Sequence, residues 1–232
     1  MEHSLNHLGI IVDGNRRFAK RLMLNLWKGH EWGAKKVREF LRWCKDAGIR
    51  EVTLYVFSLE NFNRPKKEFD YLMSLFKKEF TALLTDKEIE DDKVRINFVG
   101  RTHLLPKDVQ AVMKKLEMKT KNYNNYKLNF AIAYSGRAEI VDALKSIAEK
   151  VKQRKISPNK INEAIIEKHL YLSSEPDLII RTSGEQRTSG FLLWQGSYSE
   201  LYFCKKFWPE ITKKDFLKAV NSYTIRDRRF GR

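Results

Sequence analysis

Short apolar runs alternate with longer amphipathic segments along nearly the whole chain. The apolar runs are typical of buried strands, and the segments with apolar residues every three or four positions are typical of helices. Strands are predicted at residues 8–12, 51–57, 94–99, 127–134, 177–180 and 200–204. Helices are predicted at residues 31–46, 67–89, 107–121, 138–154 and 213–226, with a further short helix from Pro158. This alternation predicts βαβ units and therefore a single α/β domain over residues 1–232, with a central, mainly parallel sheet flanked by helices.

Basic side chains outnumber acidic ones by 45 to 29, which gives the 232-residue chain a formal net charge of +16. An excess of this size indicates an anionic partner: a nucleic acid, an acidic membrane surface or a phosphorylated small molecule. Nucleic-acid binding usually interleaves aromatic and basic residues on one face. The sequence lacks that interleaving, so we expect no nucleic-acid partner. The charge instead favours a phosphorylated substrate, together with peripheral contact to an anionic membrane.

The two cysteines, Cys44 and Cys204, lie in apolar segments and lack the spacing of metal ligands. We expect two buried thiols in a reducing cytosol. The five tryptophans are expected to lie mostly in the core. No signal-peptide pattern opens the chain, and no apolar run approaches the ~20 residues that span a bilayer. The expected protein is therefore soluble and cytoplasmic.

Chemically reactive residues cluster in the loops that follow the predicted strands, where open α/β sheets bind their ligands. These loops cover residues 13–20, 58–65, 134–137 and 181–190. The last of them contains Arg-Thr-Ser-Gly twice, six residues apart. Arginine forks, hydroxyls and close backbone N–H groups are the donors that bind phosphoryl oxygens. The repeat predicts a diphosphate site, with an exposed basic turn as the alternative.

Asp13 follows the first strand and precedes a glycine, Asn15 and two arginines. Mg²⁺ prefers one or two carboxylates plus phosphate oxygens, so Asp13 is the leading candidate for a metal ligand, and Glu185 or Glu200 could add a second carboxylate. The alternative for Asp13 is a helix N-cap. The loop after the second strand supplies Ser58 as a polar group for the site. The alternative is that Ser58 only caps a turn. Neither nucleotide-binding glycine motif is present, which disfavours nucleotide binding of those types.

These segments together resemble the cis-prenyltransferase family, the synthases of undecaprenyl and dehydrodolichyl diphosphate. The resemblance is carried by residues 7–15 (HLGIIVDGN), 29–30 (GH), 53–64 (TLYVFSLENFNR), 134–137 (YSGR), 181–189, 191–195 (FLLWQ), Glu200 and 228–231 (RRFG). It implies a homodimeric α/β fold with an apolar tunnel and a requirement for Mg²⁺. The implied reaction adds isopentenyl diphosphate repeatedly to an allylic diphosphate starter, farnesyl or geranylgeranyl diphosphate. The product would be a polycis-polyprenyl diphosphate, a precursor of glycan lipid carriers.

The resemblance also implies roles for individual residues. Asp13 would handle Mg²⁺ and, with Ser58 and Asn61, take part in catalysis, and Glu200 would help to place the metal. Arg229 and Gly231 would complete a site across the dimer interface. The substrate-binding residues would be Gly14, Asn15, Arg16, Arg17, Phe18, His30, Glu60, Phe62, Arg64, Arg181, Arg187, Thr188, Ser189, Arg229 and Gly231.

Two departures from the family pattern affect these expectations. Leu26 stands where the family usually has arginine, and Lys28 or Arg21 is the candidate replacement. Val56 is bulkier than the alanine frequent in long-chain members, which leads to the hypothesis of a shorter product. Two alternatives therefore stay open at this point: a catalytically silent partner subunit of a heteromeric enzyme, and a short-chain cis-prenyl diphosphate synthase.

Overall fold

The computed structural model describes residues 4–225, and within them six parallel strands form one sheet. The strand order is β3-β4-β2-β1-β5-β6. The strands are β1 (His7–Ile11), β2 (Glu51–Ser58), β3 (Val94–Val99), β4 (Tyr126–Tyr134), β5 (Leu178–Arg181) and β6 (Glu200–Phe203). Each adjacent pair is parallel. The predicted α/β class and parallel sheet are confirmed.

Eight α-helices lie among the described residues. They are α1 (Asn15–Arg21), α2 (Gly29–Asp46), α3 (Lys66–Leu83), α4 (Lys87–Asp91), α5 (Lys107–Thr120), α6 (Gly136–Lys152), α7 (Glu163–Glu167) and α8 (Lys213–Ile225). Short 3₁₀ turns occur at Leu26–Lys28, Leu59–Asn63, Thr102–Leu104, Pro158–Lys160 and Trp208–Glu210. Predicted and observed boundaries agree within a few residues, except in the region that follows α3 and around Pro158.

The single helix predicted over residues 67–89 is wrong, because the chain breaks it into α3 and α4. Asp86 is extended, and its carboxylate accepts a hydrogen bond from the Glu88 N–H at 3.0 Å. This is an N-cap, which starts a new helix and competes with continuation of the old one. The short helix predicted from Pro158 is also divided in two. Pro158–Lys160 forms a 3₁₀ turn, and α7 begins separately after the cap residue Asn162.

Alternating side chains of the strands bury two cores. On one face, Leu8 and Ile10 of β1 pack in the larger core beneath α2, α3, α5 and α8. On the other face, Ile11 and Tyr55 belong to a smaller cluster with residues of β4, β5 and the 191–192 segment. Alternation of inward and outward side chains along each strand produces this division. The sheet is therefore covered on both sides, as parallel sheets require.

Cys44 and Cys204 are free and buried, as expected. Trp43 and Trp208 lie in the core, but the expectation of a core position is wrong for Trp32, whose side chain is half-exposed at the start of α2. No helix among the described residues combines the length and apolarity needed to cross a membrane.

Candidate active site

A cavity of about 930 Å³ opens at the edge of the sheet where β1, β2, β4 and β5 end. Because the strands are parallel, the loops after them meet at this one edge. The predicted site residues that line the cavity are Asp13, Gly14, Asn15, Arg16, Arg17, His30, Ser58, Glu60, Asn61, Arg64, Arg181 and Ser189. The structure therefore brings together residues that lie up to 176 positions apart in the chain (189 − 13).

Asp13 lies directly after β1 and forms an ion pair with Arg181 at the end of β5. Arg181 Nη2 lies 2.8 Å from Asp13 Oδ2, and the Gly14 N–H donates to Oδ1 at 2.6 Å. Burial disfavours ionisation, but hydrogen bonds from Arg181 and Ser183 outweigh it and hold the pKa of Asp13 below its usual range. The carboxylate is therefore charged at neutral pH. Gly14, rather than Asp13, occupies the N-cap position of α1.

Arg181 joins the two copies of Arg-Thr-Ser-Gly. Its Nη1 donates to the Arg187 carbonyl at 2.6 Å and to the Ser189 hydroxyl at 2.7 Å. Ser183 and Ser189 both have positive φ, 78° and 50°, and each precedes a glycine with positive φ. These left-handed turns fold the segment back on itself. The loop is therefore folded around Arg181, which is 5% exposed, although Gln186, Arg187 and Ser189 remain exposed, as in the alternative of an exposed turn.

Arg17 extends the cationic cluster from α1. Its guanidinium donates to Ser183 Oγ at 2.6 Å and to Glu185 Oε1 at 2.8 Å. Glu185 also accepts from Arg187, and these two arginine contacts lower the pKa of Glu185. The carboxylate of Glu185 therefore holds two arginines together, Arg17 in the cavity lining and Arg187 outside it.

A second cationic group surrounds Glu68 of α3, which is 3% exposed. Its Oε1 lies 3.0 Å from Arg64 Nη1 and 3.6 Å from His30 Nε2. Arg16 Nε lies 3.6 Å from the same oxygen. The adjacent His30, together with Arg64 and Arg16, holds the pKa of Glu68 below its usual range. One buried carboxylate therefore positions cationic or hydrogen-bonding side chains from α1, α2 and the loop after β2.

Ser58 and Asn61 lie side by side at the end of β2. The Ser58 N–H donates to Asn61 Oδ1 at 3.1 Å, and the pair forms a capping box for the 3₁₀ turn Leu59–Asn63. The capped turn considered from sequence is therefore real. It is compatible with a role in the site, because both side chains also face the cavity.

A smaller, mainly apolar cavity lies beside the main one, and the two share lining residues. Val56 and His30 border both the main cavity and a narrower one of about 110 Å³. The narrower cavity runs between α2, α3 and the sheet, and its apolar walls include Val37, Leu41, Leu72, Leu75, Phe76 and Phe80. Val56 and His30 therefore lie where the cationic cavity meets the mainly apolar one, which we call the channel.

Several predicted residues lie outside the cavity lining. Phe62 packs against Phe57 and Phe69 with ring centroids 5.2 and 5.6 Å away. Phe18 is buried, and its ring centroid lies 5.8 Å from that of Trp32. Arg187 and Thr188 stand at the rim of the 181–190 loop, and neither borders the cavity. Arg229 and Gly231 lie outside the described residues.

Glu200 begins β6 and aligns with Leu178, whereas Arg181 aligns with Phe203 at the other end of the strand. Three residues of strand correspond to about 10 Å. Asp13 and Glu200 therefore lie at opposite ends of the sheet within one chain, and the metal role of Glu200 stays a prediction.

The cavity also contains residues that sequence reasoning did not assign to it. Leu26 lines the wall, but the suggested replacements do not, since Arg21 pairs with Glu210 and Lys28 with Glu31. Lys20, which was not considered as a replacement, does line the wall beside Leu26. Ser135, after β4, and Arg137, in the first turn of α6, also line it, and both belong to the predicted loop at residues 134–137. Glu68 had no sequence signal, because an acid in the first turn of a helix is ordinary.

The cationic cavity at the sheet edge and the mainly apolar cavity beside it suit a ligand with an anionic head and an apolar tail. A family model described as "Putative undecaprenyl diphosphate synthase" matches residues 11–231. The chain is 54% identical to the tritrans,polycis-undecaprenyl-diphosphate synthase (geranylgeranyl-diphosphate specific) of Methanocaldococcus jannaschii, over 97% of this chain and 82% of that protein. It is 47% identical to an isoprenyl transferase of Thermus thermophilus, over 97% and 88%.

Solved structures of prenyl diphosphate synthases also resemble this chain. Lavandulyl diphosphate synthase from Lavandula x intermedia, in complex with dimethylallyl diphosphate, is similar with a TM-score of 0.91 and 34% identity, over 99% of both chains. A probable undecaprenyl diphosphate synthase from Campylobacter jejuni has a TM-score of 0.82 and 32% identity, over 98% of this chain and 99% of that one. The chain belongs to the cis-prenyltransferase family. It is a prenyl-transferring enzyme that elongates cis-prenyl chains.

Proposed function

We propose that the enzyme uses geranylgeranyl diphosphate as its preferred starter and depends on Mg²⁺, and that its polycis-polyprenyl product becomes a glycan lipid carrier. The observation that carries the proposal is the junction at His30 and Val56 between a cationic cavity and an apolar channel. A starter with a diphosphate head and an apolar tail fits that junction in one orientation. The preference for a C20 starter is supported by the geranylgeranyl-diphosphate specificity in the names of the M. jannaschii relative and of five others at 45–49% identity.

The two cationic groups suit two diphosphates. The group around Glu68 borders the channel, so Arg16, His30 and Arg64 suit the head of the starter, whose tail would enter beside Val56. The Arg181 group, with Ser189, suits isopentenyl diphosphate. Binding two substrates side by side removes the entropic cost of bringing them together, and this can account for a large part of the rate enhancement.

The reaction begins when the allylic C–O bond breaks and its electron pair leaves with the starter's diphosphate. The alkene of isopentenyl diphosphate then forms a bond to the allylic carbon, and loss of a proton from the adjacent carbon makes the new double bond. Arginine and hydroxyl donors stabilise the charge that develops on the leaving diphosphate. Apolar walls such as Val56 keep water from the carbocation. The proton acceptor is either the released diphosphate or the Ser58–Asn61 pair.

Asp13 is the residue that would hold Mg²⁺. Among the described residues, no three His, Cys, Asp or Glu side chains gather into a metal site of their own. A single ionised carboxylate beside a diphosphate site is nevertheless the donor set from which Mg²⁺ is often bound, with phosphate oxygens and water completing its shell. When bound there, the ion would neutralise charge on the leaving group.

A short-chain synthase is the second candidate function. It is supported by the valine at position 56, where a bulky side chain narrows the start of the channel, and by the likeness to lavandulyl diphosphate synthase. The channel beyond Val56 still extends along α2 and α3, which favours the longer product.

A homodimer and a peripheral membrane contact complete the proposal. Val141 and Leu144 lie one turn apart on α6 and are 44% and 53% exposed, and Leu193 packs beside Gly136 at the start of that helix. We assign this apolar surface to the partner subunit. Replacement of Leu144 by glutamate should convert a dimer to a monomer in light scattering coupled to gel filtration, and a dimer that survives this change would argue against the assignment.

The starter and metal are tested together by incubating purified enzyme with labelled isopentenyl diphosphate and each allylic starter, with Mg²⁺ or with EDTA. The dephosphorylated products are then resolved by chain length. We expect a ladder of long products, greatest with geranylgeranyl diphosphate, lost with EDTA and in Asp13→Ala. Equal yield with EDTA would contradict the metal proposal, and products stopping after one or two additions would favour the short-chain synthase.

A further inference from the structure

The connection between α1 and α2 presents three consecutive apolar side chains to solvent. Met23 at its tip is 94% exposed, and Leu22 and Leu24 are each 43% exposed. Exposed apolar residues are ordinary when they occur singly, but contiguous ones mark a surface that contacts something apolar. We infer that residues 22–24 form a membrane tip that enters the headgroup region of an anionic bilayer. This inference gives a location to the membrane contact proposed above and rests on it.

The backbone of the membrane tip keeps its donors paired inside the protein. The N–H groups of Leu22 and Leu24 donate to the Ala19 carbonyl at 3.1 and 2.9 Å, and the Met23 N–H donates to the Lys20 carbonyl at 3.0 Å. An unpaired N–H group is costly in an apolar environment. Because these three are satisfied by α1, the tip presents side chains to a bilayer without exposing unpaired N–H groups.

Positive charge flanks the membrane tip on both sides. Residues 14–30 contain five arginines and lysines and no acidic residue. Lys20 makes no ion pair with any residue in the described range 4–225, and the side chains of Arg21 and Lys28 are 53% and 48% exposed although each has a carboxylate partner. An apolar tip flanked by exposed cations is the combination that binds the interface of an anionic membrane. This charge pattern selects a lipid surface over a neutral apolar partner.

The membrane tip also lies at the mouth of the cavity. Lys20 before it and Leu26 after it both line the cavity wall. Trp32, half-exposed nearby, packs its ring against Phe18 below the tip, and tryptophan is favoured at membrane interfaces. An enzyme seated on the tip would face its cavity toward the surface that holds apolar starters and products. The contact would therefore shorten the path of the lipid substrate.

The test places a polarity-sensitive fluorophore at the tip through Met23→Cys. The two native cysteines are 1% and 8% exposed, so a maleimide dye labels the new thiol selectively. Met118→Cys is the matched control, because Met118 is also an exposed methionine, 63% accessible, among the lysines of α5. When vesicles of phosphatidylcholine and phosphatidylglycerol are added, we expect the fluorescence emission of the dye at position 23 to shift to shorter wavelength. The emission of the dye at position 118 should not shift.

A second measurement guards against a labelling artefact. The triple variant Leu22→Ser, Met23→Ser, Leu24→Ser should bind these vesicles about tenfold more weakly or worse, since apolar insertion and charge act together. Its turnover of a detergent-solubilised starter should match that of the native enzyme, because these side chains do not line the cavity.

Three results would overturn the inference. One is an unchanged dye at position 23 on protein that has bound to vesicles, which would leave membrane contact intact but place it elsewhere. Another is a blue shift without vesicles that grows with protein concentration, which would assign the tip to a second copy of the chain. The third is unweakened vesicle binding by the triple variant. If the native protein did not bind vesicles at all, the proposed membrane contact would be wrong. If the native protein showed no turnover of the starter in detergent, the proposed function would be wrong.

Discussion

Glu68→Gln removes the negative charge that Arg16, His30 and Arg64 share. Glu68 Oε1 lies 3.0 Å from Arg64 Nη1, and the carboxylate is 3% exposed. A hydrogen bond to a charged group contributes about 1.5–3 kcal/mol. The Arg16 side chain is 45% exposed, so solvent screens its share and we assign it little. We therefore expect the free energy of unfolding to fall by about 1.5–3 kcal/mol.

The same variant should weaken use of the allylic starter. If the lost positioning energy appears in the binding of the starter, 1.5–3 kcal/mol corresponds to a rise in KM of roughly 10- to 150-fold. The KM for isopentenyl diphosphate should change much less, because the Arg181 group does not contact Glu68. Urea unfolding and steady-state kinetics with each substrate varied in turn measure the two effects.

Asp70→Asn is the matched control on the same helix. Asp70 and its partner Lys66 are 54% and 86% exposed, and such a pair contributes about 0–0.5 kcal/mol. If Glu68→Gln unfolds at the same urea concentration as Asp70→Asn and leaves the starter's KM unchanged, the role assigned to Glu68 is refuted. Equal losses for both substrates would also refute it, since they would indicate general damage to the fold.

Three further predictions follow from the site. Val56→Ala should lengthen the products in a chain-length assay, because it widens the start of the channel. Val99 is a buried valine on the other face of the sheet, so the control variant Val99→Ala should leave product length unchanged. If Val56→Ala also left product length unchanged, the hypothesis that Val56 shortens the product would be wrong. Gly29→Ala should destabilise the protein and weaken starter binding, because a Cβ there would lie 1.9 Å from the Asn15 carbonyl oxygen, and an unaltered melting temperature would contradict this. Burial lowers the pKa of His30 below 6.5, its ordinary value in an unfolded chain. As the pH drops below 6.5, this histidine is therefore protonated in the unfolded chain before it is protonated in the folded one. The free energy of unfolding then falls by at most about 1.4 kcal/mol per pH unit. Urea unfolding of His30→Gln should accordingly show a shallower loss on acidification than the native enzyme, and an identical slope would count against it.

The gathering of the site could be predicted because it depends on topology. Asp13, Ser58 and Arg181 each follow an apolar run, and parallel strands bring their carboxyl ends to one edge. The doubled Arg-Thr-Ser-Gly was informative for the same reason, since its donors follow a buried strand. Phe18 and Phe62 could not be separated from true cavity residues in this way, because sequence position does not give the direction of a side chain within a loop.

Other features depended on packing that no local pattern carries. The break between α3 and α4 rests on the Asp86 cap, whereas the apolar periodicity alone favours one long helix. Glu68 is a site residue only because α2 and the loop after β2 bring His30 and Arg64 against it. Lys20 lines the same cavity as Leu26 but from a different position in the chain, so a comparison by position does not find it.

The central claim is that diphosphates bind at the carboxyl edge of the sheet with the prenyl chain running between α2 and α3. A crystal structure with a non-cleavable thiodiphosphate analogue of geranylgeranyl diphosphate and with isopentenyl diphosphate tests it most directly. We expect the analogue's diphosphate to bind against Arg16, His30 and Arg64 with its tail beyond Val56, and the second diphosphate to bind against Arg181. A tail lying outside the channel, or both diphosphates bound away from these arginines, would contradict it.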